Sequence, residues 1–407
     1  VAARRARSAV GLLFFANGIA LTTVLPRLPE IKTELGLTNT ALGLALAAAP
    51  IGSLTAVPLT GRLIARFGSA PVAAVAGLVL GIGLPGLGLA PVWGALAAVY
   101  LVLGAADGVM DAAMNAHGLR VQKSYGRSLI NGMHGLWSVG AATGAAVGTA
   151  AAALRVPLVV HLLVVAALVL GTALLAWTWR LAGPDPSDLT AAAQAAPAPA
   201  RPDDDGRRGV WRAVRPLAWV GLLGVLAGVP EDVANAWSTL YLAEGREAPP
   251  GLAGLGYTVF AASMMVSRFS ADRVTDRFGT VTVARVGGLL AFCGYVVVLA
   301  APTLWLSIAG FGLIGLGIAP AFPTLFHASG HWPGVRSGDG VTVLSWVARL
   351  GFLVTPPVVG LIADNAGIGT GLVVGAVAAL AYGLLAGRLA PASRAETGER
   401  ADERPSA

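Results

Sequence analysis

The sequence predicts an all-α polytopic membrane protein with twelve transmembrane helices, arranged as two pseudo-symmetric six-helix bundles. Three observations predict this class. Of the 407 residues, 56% are hydrophobic and 12% charged, about half the charged share of a soluble domain. The apolar residues fall in blocks of roughly twenty, the length a helix needs to cross the hydrocarbon core while bonding its own backbone groups. The second half of the chain also repeats features of the first at a constant offset.

The first span, near residues 9–29, opens with VAARRARSAVGLLFF. This start has the basic and apolar regions of a signal peptide, but the apolar run continues to Leu25 with no small-residue cleavage site, so an uncleaved helix is expected. The second and third spans, near 39–60 and 70–91, are joined by GRLIARFG; the fourth, near 93–117, runs from WGALAAVYLVLGAA into DGVMDAAMNAHG. In the fifth, near 129–153, Gly140, Gly144 and Gly148 form a stripe that lets a neighbouring helix approach closely. The sixth, near 157–178, has His161 as its one ionisable residue. Residues 183–215 then contain PDPSD, AAAQAAPAPARPDDD and GRR, a composition that cannot bury a core and is expected to form a flexible linker. The chain thus divides into an N-terminal bundle (1–182), the linker (183–215), a C-terminal bundle (216–390) and a tail (391–407). The seventh span, near 216–242, holds GVPEDVANAWSTLYL, and the eighth, near 251–272, leads through SRFSADRVTDRFG. The ninth, near 280–301, carries Arg285 and the lone Cys293, which can form no internal disulfide. The tenth, near 303–326, ends in GLGIAPAFPTLF; the eleventh, near 339–363, holds Arg349; the twelfth, near 367–387, is free of charge.

Positive charge sets the orientation, because Lys and Arg stay on the cytoplasmic side of short loops. With the N-terminus inside, 23 of the 28 fall on that side, including Arg268, Arg273, Arg277 and Arg285. Arg27, Lys32, Arg155 and Arg246 fall outside, and Arg349 lies within a span. Both termini are therefore expected in the cytoplasm, with the chain crossing the cytoplasmic membrane many times. The net charge of +7 is spread through loops and builds no folded basic domain, so no nucleic-acid partner is expected.

GRLIARFG (residues 61–68) and SRFSADRVTDRFG (residues 267–279) both follow the second span of their half and end in Arg-Phe-Gly. Gly68 and Gly279, Gly104 and Gly315, and Gly140 and Gly351 are each 211 residues apart, which marks a duplicated half. On these features the chain resembles the major facilitator superfamily along essentially its whole length. Gly61, Leu63, Arg66 and Gly68 match that superfamily's loop signature Gly-x-Leu-x-Asp-Arg-x-Gly-Arg, while Ala65 and Ser69 depart from it. The second copy keeps Asp276, Arg277 and Gly279, beside Asp272 and Arg273. The resemblance implies the major facilitator fold, loops that gate the change between states, and charge contacts carried more by the second half. DAAMNAHG, GRSLINGMHGLWSVG, SRFSADRVTDRFG and GLGIAPAFPTLF are similar to the bacterial YbjJ-like branch, itself distantly similar to fucose permeases.

Charges inside a span are costly unless paired or facing water, so each is a candidate for function. Asp107, Asp111 and Asn115 are spaced i, i+4, i+8 and share one helical face. Two carboxylates on one stripe repel each other, a property suited to a proton carrier. The resemblance to fucose permeases places Asp111 where a membrane carboxylate is followed four residues later by Asn. Asp111 and His134 lie roughly 10 and 8 Å from the cytoplasmic face at about 1.5 Å per residue, so the two are expected to approach, with His134 shuttling or stabilising a proton. A histidine bonded to a backbone carbonyl is the alternative. His117 is expected at the cytoplasmic rim. Glu231 and Asp232 fall near mid-membrane after Pro230, with Asn235 one turn beyond Glu231, and the proline is expected to bend that helix. Arg349 needs a carboxylate, and Glu231 or Asp232 is the expected partner. Asn17 and Phe322 complete the expected cavity lining.

These readings converge on a secondary active transporter that moves a small organic solute by alternating access, with protons carried through Asp111, Glu231, His134 and Asp107. It is expected to work as a monomer in the lipid bilayer without a cofactor. Four buried acids against one arginine make the expected cavity net negative, suited to a neutral polyol-like or cationic solute. A drug or metabolite exporter of the same fold and a non-transporting membrane sensor remain alternatives. No Walker lysine is present, and GLIGLGIAP follows no strand, so ATP-driven transport is not expected. Five scattered histidines and one cysteine show no zinc spacing, and no nucleophile and base pairing suggests an enzyme.

Overall fold

The structure, a computed structural model, describes residues 2–126, 129–181, 208–330 and 337–389. Twelve helical spans make up nearly all of it, with no strand among the described residues. They are α1 (Ala2–Thr22, continued by a 3-10 turn at Leu25–Arg27 and the short helix Leu28–Glu34), α2 (Asn39–Phe67), α3 (Ser69–Gly83, followed by Gly86–Leu89), α4 (Trp93–Tyr125), α5 (Ile130–Ala153) and α6 (Leu158–Thr178). The second set is α7 (Arg208–Leu240), α8 (Pro250–Phe278), α9 (Thr280–Ala300), α10 (Leu304–Ile318, continued by Ala321–Gly330), α11 (Ser337–Ala366) and α12 (Ile368–Leu385). Ten of these are long and apolar enough to cross a membrane. The other two, α7 and α11, carry Glu231, Asp232 and Arg349.

Of the expected linker, residues 183–207 lie outside the described residues, as does the tail at 391–407; α7 already begins at Arg208. Other boundaries also moved outward. Helices α2, α4 and α8 run to Phe67, Tyr125 and Phe278 rather than ending near 60, 117 and 272. Apolar length measures the lipid-spanning part alone, whereas Leu, Arg, Lys and Gln extend a helix well into water.

Gly68 (φ +86°) ends α2 and opens α3, and Gly279 (φ +80°) does the same between α8 and α9. A residue with a Cβ is strained there, which explains the repeated glycine. Arg66 stands over the Phe67 ring at 5.4 Å and Arg277 over Phe278 at 5.5 Å, so the Arg-Phe-Gly repeat takes the same shape twice. Arg66, Asp272, Arg273, Asp276 and Arg277 are exposed, and no ion pair joins them among the described residues.

The repeat reaches into the packing. A Cβ on Gly104 of α4 would collide with the Ala49 backbone of α2, and one on Gly315 of α10 with the Phe260 backbone of α8. Both members of the pair are shifted by 211 residues, 315 − 104 and 260 − 49. The next crossing is mirrored. Gly52 of α2 lies on the backbone at Leu101 of α4, while in the second half Gly312 of α10 faces Ser263 of α8. Without water to drive association, this close approach is what holds helices together in lipid. The predicted stripe behaves likewise, since Gly140, Gly144 and Gly148 lie on the α1 backbone near Phe15, Ile19 and Thr23. Gly351, the expected counterpart of Gly140, has open space where its Cβ would be.

The halves meet mainly at the end opposite the arginine-rich loops. Gly43 of α2 admits the Pro356 carbonyl of α11, and Gly360 of α11 admits the Asn39 carbonyl. Between α5 and α8, Gly251 sits against Ala153, and Thr149 and Thr258 share a 2.8 Å hydrogen bond. Arg27 at this end is almost fully buried, bonded to Glu30 at 2.6 Å and to the Val156 carbonyl at 2.8 Å, which pins the tail of α1 to the α5–α6 turn.

Candidate functional site

The period of α4 puts Asp107, Asp111 and Asn115 on one face, and the side chains that meet them come from both halves. Asn17 of α1 donates from Nδ2 to Asp107 Oδ1 at 2.8 Å, and Trp137 of α5 donates from Nε1 to Asn17 Oδ1 at 2.8 Å. Asn115 donates to Asp111 Oδ1 at 3.0 Å and to the Asp111 carbonyl at 2.9 Å. His134 of α5 stands edge-on to Phe14, 5.1 Å between ring centres, with exposed surface and near enough to Asp111 for their charges to act on each other.

From the second half, Arg268 of α8 donates from Nη2 to Glu231 Oε1 of α7 at 3.3 Å, and its guanidinium lies 5.6 Å from the centre of the Trp137 ring. The other Glu231 oxygen is buried without a partner. Phe322 of α10 packs beside Phe352 of α11 at 6.2 Å and Phe326 at 6.4 Å, close to Gly228 of α7, and supplies an apolar wall. Asn235, half-buried one turn after Glu231, has no hydrogen-bond partner among the described residues.

Four expectations need correcting. Arg349 does not pair with Glu231 or Asp232; its charge reaches Asp107 and Asp111 of the other half instead. Arg268, expected on the cytoplasmic surface, occupies the place at Glu231, because α8 runs two turns further than its apolar length suggests and carries Arg268 to mid-helix. Asp232 lies in reach of Tyr295 of α9, away from the α4 acids. The Tyr295 hydroxyl donates to the Pro230 carbonyl at 2.6 Å, filling the space behind α7. His117 is not at a rim: it is 2% exposed and 3.3 Å from the Ser69 hydroxyl. Trp137, Arg268 and Tyr295 were not singled out in the sequence. Trp137 stands three residues after His134, on the same face, which was the available signal.

With Asp232 turned away, the described cavity presents Asp107, Asp111 and Glu231 against Arg268 and Arg349. Three acids against two guanidiniums leave a smaller excess of negative charge than the expected four acids against one arginine. Among the described residues no cluster could hold a metal ion.

The opposite end is shut. Asp364 of α11, just beyond the expected span, accepts from the Asn39 amide at 2.8 Å, the Thr40 amide at 2.8 Å and the Thr40 hydroxyl at 2.6 Å, and so caps the first turn of α2. A little burial pushes its carboxyl up, but the bonds from Thr40 and Asn39 outweigh it and hold it down at about 2. Lys32 joins Glu244 of the second half to Asn39. By contrast, Asp107, Asp111, Asn115, His134 and Arg349 all keep exposed surface.

The sequence profile of the Major Facilitator Superfamily matches residues 10–243 and 220–406. An uncharacterised MFS-type transporter of Yersinia pestis is 33% identical over 356 residues, covering 87% of this chain and 88% of its own. An uncharacterised transporter of Sinorhizobium fredii is 31% identical over 357 residues, covering 87% and 90%. Among solved structures, a D-xylose-proton symporter superposes with a TM-score of 0.73 at 13% identity, over 95% of this chain and 98% of its own, a likeness of fold.

Proposed function

The chain belongs to the major facilitator superfamily and is a multi-pass secondary transporter, and we propose that it couples a small organic solute to protons through Asp111, Glu231, His134 and Asp107. The observation that carries this reading is the meeting of carboxylates from both halves, with contacts between the halves closing the end opposite the arginine-rich loops. The arginine-rich end, with both termini, is cytoplasmic, in line with the placement of Lys and Arg. The molecule is then inward-open in the cytoplasmic membrane, with α2 and α11, and α5 and α8, forming the outer seal.

Asp111 is the principal proton carrier, since it faces His134 and has exposed surface. Glu231 is its counterpart across the cavity, its charge met by Arg268. The solute sits between the α4 stripe and the Phe322 wall, with Asn115 and Asn235 available to bond hydroxyl or amine groups. Three carboxylates against two guanidiniums suit a neutral polar solute such as a polyol better than a dianion. The fold shared with a D-xylose-proton symporter supports both the coupling and this class of solute.

The test uses purified protein in proteoliposomes, screened by thermal shift and then by counterflow. The expected result is accumulation driven by a proton gradient, with Asp111→Asn retaining counterflow but losing accumulation. Accumulation that ignores both the gradient and Asp111→Asn would sink the proposed coupling.

A further inference from the structure

Four contacts in the cavity join end to end. Asp107 accepts from Asn17, Asn17 accepts from Trp137, the Trp137 ring carries Arg268, and Arg268 donates to Glu231. The string passes from α4 through α1 and α5 into α8 and α7, crossing between the halves at the Trp137 ring. Each link leaves the next little freedom. An indole N–H can only donate, so it fixes the Asn17 amide with its oxygen toward Trp137 and its NH2 toward Asp107. A cation over an aromatic face is held by the ring's charge distribution, and the same field draws electrons from the indole N–H and strengthens the bond it donates. At the far end, the Arg268 bond to Glu231 is long and single, so the guanidinium is shared between the carboxylate and the ring.

We propose that Asn17, Trp137 and Arg268 are positioning residues that tie the Asp107 carboxylate of one half to the Glu231 carboxylate of the other, so that a change of charge at either is felt at both. When Glu231 takes up a proton, Arg268 loses its carboxylate partner and settles on Trp137, which tightens the grip of Asn17 on Asp107. When Asp107 takes up a proton, the chain relaxes in the opposite sense. Other charges surround the string. Asp111 and Arg349 act on Asp107, His134 and Tyr257 lie in the field of Arg268, and Asp232 and Tyr257 stand beside Glu231. None of them is needed to close the string. The functional meaning of the tie rests on reading these acids as proton carriers; its existence does not.

Infrared difference spectra of the full-length protein in lipid nanodiscs, recorded through a pH titration, would follow the C=O stretch of each protonated carboxyl, assigned with Asp107→Asn and Glu231→Gln. Coupling is reciprocal, so Glu231→Gln should change the proton affinity of Asp107 by about fivefold or more, and Asp107→Asn should change that of Glu231 by the same factor. Trp137→Phe keeps the ring under Arg268 and removes the N–H, and in that background both changes should fall below about twofold. Asn17→Leu cuts the next link and is read in the same way if Trp137→Phe does not fold. Undiminished changes in the cut string would mean that the charges act directly through space, and no change in the parent protein would mean that the acids are independent; either result overturns the proposal. A protein that shows the tie but moves no protons with its solute would retain this inference and lose the coupling reading, and the reverse outcome would do the opposite.

Discussion

Replacing Asp364 by alanine removes three hydrogen bonds at the closed end, two from the backbone of α2 and one from the Thr40 hydroxyl. They exist in the closed arrangement because α2 and α11 belong to different halves. The carboxylate also sits at the positive end of α2, where an anion is favoured. Asp364 is exposed, so solvent competes for every one of these contacts, and the sum is discounted to about 1–2 kcal/mol, the range of a single strong helix cap. That amount changes the balance between the state closed at this end and the state open there by about 5–30-fold. Spin labels at Thr33 and Asn365, both exposed and in different halves, would report the two populations as two distances after Cys293 is replaced. Asp364→Ala should move the distribution toward the longer distance, and Asp364→Asn should fall between. The pH dependence has a definite sign. The folded carboxyl is held at about 2, below its ordinary 3.8, so its contribution to closure is full above about 4 and is lost as pH falls toward 2. The parent protein should open across that window and Asp364→Ala should not respond. Identical distance distributions in parent and variant would refute the assignment of Asp364 as a latch.

Three further outcomes are expected. Glu231→Ala strands the Arg268 guanidinium in a partly desolvated site and should lower thermal stability by about 2 kcal/mol, with part of the loss restored in Glu231→Ala/Arg268→Ala; strict additivity in the unfolding scan would argue against the pair. Gly104→Ala drives a methyl into the Ala49 backbone and should destabilise by about 1–3 kcal/mol, whereas Gly171→Ala, with open space at its Cβ, should unfold like the parent. His134→Gln should leave solute counterflow intact and shift the pH profile of proton-driven uptake, as a group near Asp111 rather than a solute ligand would; an unchanged profile would remove His134 from the proton path.

The spans, the duplication and the α4 stripe were legible because each rests on a short period. Hydrophobic length gives a span, an offset of 211 gives a repeat, and i, i+4, i+8 gives a face. Arg268 was hidden for the same reason. Near the end of an apolar run, a charge reads as a loop residue, and nothing local says that the helix continues to Phe278. The partner of Arg349 was misjudged because a buried cation requires an acid but does not say which helix supplies it. Asp364 looked like the polar end of a span; its role depends on α2 lying across from it, a relation between residues 325 positions apart. His117 follows the cavity stripe in sequence but has rotated away from it toward Ser69.

The mirrored crossing at Gly52–Leu101 and Ser263–Gly312 says something about what a duplicated half inherits. In one copy the missing side chain belongs to the first helix of the pair, and in the other to the second. Lineage has preserved a crossing between two helices, not an amino acid at a position, and the contact is looser in the second copy, where a Cβ on Gly312 would meet the Val259 and Ser263 side chains rather than backbone. Residue-by-residue comparison of the halves will therefore undercount their kinship, because the glycine of this crossing stands on the facing helix in the other copy. A side chain at Gly52 would meet the Leu101 carbonyl itself, so Leu101→Gly should give no relief to Gly52→Ser.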